Sequence, residues 1–404
     1  MMRNEPALRG PPTPCASKGN RAGTALPRTT LRGGTRRSAT GHHHRTSRRL
    51  MPTTMTPRPL SEQFLAKPKA ELHLHLRGAM PAAFFAELVA KRPPQQALAD
   101  APDHHLALFR ASPHLEHLAL GLLSPPEAAD ALFRFQTFPQ FLTSYLLTSY
   151  FFRDIEDFRS LIIAVRDTLA AQNIVYAEVT VSLIEYIWRG LKLPEMIEVM
   201  DDTASDGEVR LRWIVDLVRD VGPEAALDLL KDCLACKSAS ICGITLGGSE
   251  HKVPAREFVE HYRLAQEHGL GLTAHAGEAM GPESVWDAVR SLGVNRIGHG
   301  VRSIEDPRLV EHLAENRIPL EICPTSNLKT GVYPSYAEHP VRRLYEAGIP
   351  ISINTDDPSF FACTLNDEFQ RLADLGFTEP ELEQLVGNGF RQAFPAAEIT
   401  GSRP

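Results

Sequence analysis

The chain has no run of about 18 apolar residues, the length a helix needs to cross a bilayer, so no segment of it reads as a membrane span. Cysteine is scarce: Cys15, Cys233, Cys236, Cys242, Cys323 and Cys363 follow no regular spacing. A chain of 404 residues is too large to need disulfide staples, and such cysteine usage suits a reducing compartment, so the expected location is the cytoplasm. Acids are nearly absent from the first sixty positions, which hold twelve Lys and Arg against Glu5 alone. With a formal net charge of −6 for the whole, the rest of the chain stands at about −17. A body this acidic repels a polyanion, because each phosphate contact needs a basic group. Nucleic acid is therefore not the expected partner, and a small neutral or mildly anionic molecule is easier to accept. Neither an internal repeat of fixed period nor a signal of oligomeric state is present.

Residues 1–58 are rich in Arg, Ser, Thr, Pro and Gly and lack apolar periodicity, so burial cannot offset their chain entropy. They read as a disordered basic extension ahead of a folded region over 59–404. Arg-rich and acid-poor, they mimic a transit peptide without forming an amphipathic helix. Met51 and Met55 are alternative translation starts, with the upstream stretch then untranslated. The triplet His42, His43 and His44 is a chance run in such a tail rather than a metal site.

Beyond residue 68 short apolar runs alternate with longer helical patterns. Eight segments read as strands: 70–76, 175–181, 211–217, 241–246, 270–275, 296–299, 319–323 and 350–354. Helix-like stretches lie between them over 256–268, 284–292, 306–315 and 341–347, several closed by glycine (Gly269, Gly293, Gly348). Such alternation predicts an α/β fold, a TIM-type (β/α)8 barrel, with an open doubly wound sheet as the alternative. Between strands one and two about 95 residues replace the usual single helix. This helical insertion carries Phe133, Phe135, Phe138, Phe141, Phe151 and Phe152. Most of these rings are expected in the core, with one or two free to line a ligand pocket.

Polar chemistry collects where the strands end, the rim on which barrel enzymes keep their sites. His73 and His75 lie two apart on strand one and share a face. Alone, that pair is more often core histidine than ligand. His275 and Glu278 at strand five, His299 at strand six, and Asp356 and Asp357 at strand eight converge on the same rim. Three histidines and a carboxylate suit zinc with one position left for water.

The motifs LysAlaGluLeuHisLeuHisLeu (69–76), ThrLeuGlyGlySerGlu (245–250), HisAlaGlyGlu (275–278), ArgIleGlyHisGly (296–300), CysProThrSerAsn (323–327) and AsnThrAspAspPro (354–358) resemble, in this order, those of the adenosine deaminase family of metal-dependent amidohydrolases. The resemblance runs from about residue 67 to 358. It implies a hydrolytic deaminase acting at C6 of an adenine nucleoside, with one zinc ion per chain held by His73, His75, His275 and Asp356. It also implies Glu278 as proton shuttle to purine N1, His299 as the group that orients and deprotonates the attacking water, Asp357 at N7 and the Gly248 backbone at N3. The chemistry agrees. Zinc brings the pKa of a water toward about 7, attack at C6 requires a proton on N1, and a buried carboxyl of raised pKa can supply it. Gly248 has no side chain to block approach of the ring.

Two positions depart from the pattern. ThrValSerLeu (180–183) stands where the family often has ArgTyrSerPro, which alters packing or a pocket wall. Arg77 stands where an acid usually holds the ribose 5′-hydroxyl. A guanidinium offers no acceptor to a hydroxyl proton but pairs with a carboxylate or phosphate. The substrate is therefore adenosine or a 5′-modified adenosine, such as aminodeoxyfutalosine with its benzoate or a nucleotide, unless Arg77 simply pairs with an acid of the insertion. Other classes that fit the motifs are a mononuclear amidohydrolase acting on another base and a silent nucleoside-binding barrel. His114 with Cys233 and Cys236 loosely echoes the cytidine-deaminase zinc signature but lacks its proline, and both cysteines fall in an apparent helix. Strand four carries no lysine to bridge a second metal.

Overall fold

The computed structural model describes residues 59–394. The expectations for 1–58, including the histidine triplet, lie outside the described residues. Strands β1 (Lys69–His75), β2 (Ile174–Val181), β3 (Arg210–Asp216), β4 (Ile241–Thr245) and β5 (Gly271–Leu272) pair in parallel in chain order. A second parallel run comprises β6 (His275–Ala276), β7 (Ile297–His299), β8 (Leu320–Ile322) and β9 (Ile351–Ile353). β5 and β6 are two halves of one barrel strand. The Thr273 and His275 N–H groups continue its ladder to the carbonyls of Ile244 and Leu246, and the Ala274 carbonyl accepts from Gly298. The ring closes where Asp356 N–H donates to the His73 carbonyl at 3.0 Å and His75 N–H donates to the Asp356 carbonyl at 2.9 Å. Eight strand positions in a closed parallel ring, with helices between, make the (β/α)8 barrel expected from the alternation. Its elements follow local chemistry. Helix Ile155–Ala170 starts at an Asp154/Asp157 capping box and buries Phe158, Leu161, Ile162, Val165 and Leu169, the three- and four-residue spacing of one helix face.

The insertion between β1 and β2 folds as short helices, among them Ala82–Lys91, Asp103–Ala111, Pro125–Leu132 and Phe138–Ser149. Phe141, Phe151 and Phe152 are buried and Phe133 and Phe135 half-buried, as core packing requires, whereas Phe138 is exposed. Phe133, Phe135 and Phe141 pack against Phe360 of helix Pro358–Phe361, at ring separations of 4.9, 6.2 and 5.4 Å. The insertion is thus clamped to the residues that follow Asp357. Cys233 belongs to helix Pro223–Ala235 and is buried in the core. Among the described residues no helix is long and apolar enough to cross a membrane.

The barrel interior is not wholly apolar. Arg296, at the foot of β7, lies between two buried carboxylates, with Nη2 2.5 Å from Glu178 and Nε 2.6 Å from Glu321. A lone buried charge costs several kcal/mol, so this ionic layer persists only because each member has a partner. Phe394 lies under it, its N–H donating to Glu178 at 2.7 Å and its ring centroid 3.6 Å from the Arg296 guanidinium. A Cβ on Gly271 would sit 2.1 Å from that ring and one on Gly243 2.7 Å away. These two adjacent glycines leave the space in which Phe394 seats.

Candidate active site

At the C-terminal ends of the strands, side chains distant in sequence converge. His75 Nε2 lies 3.3 Å from His275 Nε2 and 3.2 Å from Asp356 Oδ1, and His73 Nε2 is 3.4 Å from the same oxygen. His299 Nε2 stands 3.6 Å from Glu278 Oε2 and 4.0 Å from Asp356 Oδ2. His73, His275, His299 and Asp356 each offer a ligand atom within 4.8 Å of the others, and among the described residues they are the one group so placed. His75 adjoins this group through its contacts to His275 and Asp356. Both His299 (φ 59°) and Asp356 (φ 67°) take the left-handed backbone conformation, which is uncommon for residues bearing a Cβ. At each, local strain is accepted to aim a side chain inward.

The cluster is chemically suited to a cation. The Nε2 atoms of His75 and His275 meet at 3.3 Å, so a shared hydrogen or a cation must lie between their lone pairs, and the Nε2 atom of His73 is buried without a hydrogen-bond partner. Burial alone would lower the pKa of His73, but the nearby carboxylates of Asp356 and Glu321 outweigh that and raise it to about 10. For His75, burial is likewise outweighed by Asp356 and Asp357, giving about 9. The carboxylates that attract protons to these lone pairs attract a divalent ion equally, since proton and metal compete for them. Glu321 orients His73 by accepting from Nδ1 at 2.8 Å, which turns Nε2 toward the cluster. Despite its burial, Glu321 is held at about 2 by Arg296 and His73. Ser326 donates to Asp356 Oδ2 at 2.7 Å.

Two carboxyls beside the cluster behave in the opposite way. Glu278 is pushed up to about 8 by burial and by the charges of Asp356 and Glu250, and Asp357 to about 7 by burial and Asp356. Both are biased toward carrying a proton. Glu278 rides on a loop held by Glu250, whose carboxylate accepts from the N–H groups of Gly277, Ala279 and Met280 at 2.6, 2.7 and 2.9 Å. Asp357 Oδ1 is buried without a partner. A Cβ on Gly78 would fall 1.8 Å from it, so only glycine fits there. His299 is pressed down to about 3 by burial and is neutral at physiological pH.

Gly248 adopts φ 82°, and a Cβ there would approach Asp220 Oδ2 to 2.7 Å and the Arg219 N–H to 3.2 Å. Two residues earlier, the Leu246 carbonyl accepts from His275 N–H at 3.3 Å, tying this loop to the cluster strand. Arg77 is buried, forms an ion pair with Glu185 and lies 4.1 Å over the ring of Tyr145. Glu185 follows β2, so the partner is not an acid of the insertion; the insertion instead contributes Tyr145. Nε and Nη1 of Arg77 have no hydrogen-bond partner. Glu250, Glu321, Ser326, Asn327 and Gly78 were given no role by the sequence. Glu250, Ser326 and Asn327 nevertheless lie inside the quoted motifs, and a buried acid or polar residue beside a ligand was the available signal.

A model of the adenosine deaminase family matches residues 124–400. The aminodeoxyfutalosine deaminase of Streptomyces avermitilis is 34% identical over 348 residues, covering 84% of this chain and 90% of that protein. The adenosine deaminase of Shewanella loihica is 41% identical over 232 residues, 56% of this chain and 70% of that one. Among solved structures, a Burkholderia ambifaria amidohydrolase with bound zinc superposes with a TM-score of 0.68 at 25% identity, covering 87% of this chain and 94% of that one.

Proposed function

The chain belongs to the adenosine deaminase family and is a hydrolytic deaminase acting on a carbon–nitrogen bond, and from that premise we propose that it replaces the 6-amino group of an adenine nucleoside by oxygen. The observation that carries this reading is the pairing of a cation-attracting cluster with two carboxyls, Glu278 and Asp357, whose burial beside Asp356 raises their proton affinity far above that of an ordinary carboxyl. Purine N1 and N7 are both acceptors, so a site for this ring needs donors there. Glu278 would deliver a proton to N1, which makes C6 electrophilic. Asp357 would donate to N7 and the Gly248 N–H to N3, while His299 orients the attacking water. His73, His75, His275 and Asp356 would hold one zinc ion. When bound, that ion supplies acidification of a water at neutral pH. Incubation with adenosine, aminodeoxyfutalosine and adenosine monophosphate, followed by loss of adenine absorbance, tests the reading; no turnover of any of the three refutes it.

The sign of the pH dependence follows from Glu278. A carboxyl raised to about 8 holds its proton below that pH and loses it above, and a nearby cation draws the midpoint lower. The active form is the protonated one, so kcat/KM falls on the alkaline side through a limb at or below about pH 8. A pH–rate profile still rising through that range would remove Glu278 as the acid.

A 5′-anionic substrate is favoured by Arg77, whose buried Nε and Nη1 remain without acceptors, and by the aminodeoxyfutalosine deaminase relative. Glu185 already balances its charge, so an incoming anion would share the guanidinium with that carboxylate. Glutamine is the suitable replacement, since an acid would confront Glu185. A charge-assisted hydrogen bond contributes about 1.5–3 kcal/mol, so Arg77→Gln lowers kcat/KM for the 5′-anionic substrate by roughly ten- to a hundredfold and spares adenosine. Equal losses on both substrates would make Arg77 a wall residue that holds Tyr145 and Glu185.

A further inference from the structure

The two ring nitrogens of His299 face different surroundings. Nε2 is turned toward Glu278 and Asp356. Nδ1 is turned into the protein, 3.1 Å from Asn327 Nδ2. A neutral imidazole has one donor and one acceptor nitrogen, and which is which decides whether His299 can take a proton from the site or only offer one.

The backbone N–H of Val341 donates to His339 Nδ1 at 3.2 Å. His339 is buried, and burial lowers its pKa to about 3, so the ring is neutral. With Nδ1 accepting, its hydrogen sits on Nε2, which is 3.1 Å from Asn327 Oδ1 and donates to it. The other end of that carboxamide is the NH2 group, which can only donate, and it faces His299 Nδ1. Nδ1 of His299 is therefore an acceptor, and the neutral ring carries its hydrogen on Nε2. Turning the amide over would set the Asn327 N–H against the His339 N–H, leaving buried donors unsatisfied at about 1–3 kcal/mol each.

We propose that the relay Val341–His339–Asn327 holds His299 in its Nε2–H tautomer, so that His299 donates a hydrogen bond to the oxygen attacking C6 and removes no proton from it. This rests on the function proposed above. Asn327 and His339 are positioning residues, and the proton traffic falls to Glu278. Its carboxyl gives a proton to N1, and the carboxylate takes one from water as the C–O bond forms. It then passes that proton to the amino group. The C–N bond breaks with its electron pair going to nitrogen, ammonia departs, and the hydroxyl proton on C6 returns to Glu278 as the carbonyl forms.

Nitrogen NMR of histidine-labelled, zinc-loaded protein, with His299→Gln identifying the resonances, reads the tautomer without reference to activity. The expected result is a neutral His299 with hydrogen on Nε2; hydrogen on Nδ1 overturns the proposal. Asn327→Asp replaces the NH2 by an acceptor oxygen and draws the hydrogen to Nδ1. Loss of one preorganised donor lowers rates by about 10²- to 10³-fold, so kcat falls by that order with KM little changed. A variant that switches tautomer and stays as active as wild type also overturns the proposal. Asn327→Leu adds no buried charge and removes both relay bonds. It should give a mixture of tautomers, and a pure Nε2–H form would show that the relay is not what holds the ring. Should wild type turn over no adenine nucleoside, the function fails, while the spectrum still decides the tautomer and the relay.

Discussion

Glu278→Gln lowers kcat by about 10²- to 10⁴-fold, the usual worth of a positioned general acid, and leaves zinc content unchanged. Glutamine has the size of the glutamic acid it replaces and can still donate a hydrogen bond to N1, so substrate binding persists. What it lacks is a transferable proton. The loop that carries position 278 is held by Glu250 through backbone N–H groups at 277, 279 and 280, which do not depend on the side chain at 278. The loss should therefore appear in kcat, with KM and melting temperature close to wild type. Steady-state kinetics beside metal analysis checks it. Turnover near the wild-type rate would remove Glu278 from the chemistry, and loss of zinc would place it among the ligands.

Stripping the metal abolishes turnover, and one equivalent of zinc restores it. Several kcal/mol of transition-state stabilisation are at stake, and each 1.36 kcal/mol is tenfold in rate, so the metal-free protein should fall by at least about 10³-fold. Stability responds too, because a ligand that binds only the folded chain raises its melting temperature. In the metal-free chain His73 and His75 attract protons to the lone pairs that zinc would take, so zinc binding releases protons and weakens as pH falls. Metal analysis of the purified chain, chelation with a thermal melt, and titration back with zinc make up the measurement. Full activity without a transition metal, or two ions per chain, would refute a single catalytic zinc.

Periodicity and turn chemistry are local, and what they encode was legible in the amino-acid order. The eight strand positions, the glycine stops at 269, 293 and 348, each with positive φ, and the helical insertion all follow from spacing within a few turns of chain. His73 and His75 could be placed on one face because strand geometry has a period of two. Ordered motifs at the strand ends named Glu278, His299, Asp356 and Asp357, since a parallel barrel brings every strand end to one rim. Long-range pairing was not legible. That Glu321 orients His73, that Arg296 lies between Glu321 and Glu178 above Phe394, and that Glu250 holds the Glu278 loop are contacts across separations from 25 to 248 residues. No pattern in one sequence tells which of many buried acids meets which donor. Arg77 shows the same division. Its departure from the family was plain from the sequence, but that Glu185 balances its charge while Nε and Nη1 stay unpartnered was decided by packing. Burial sets the cost of every unpaired polar atom, and burial is a property of the assembled barrel.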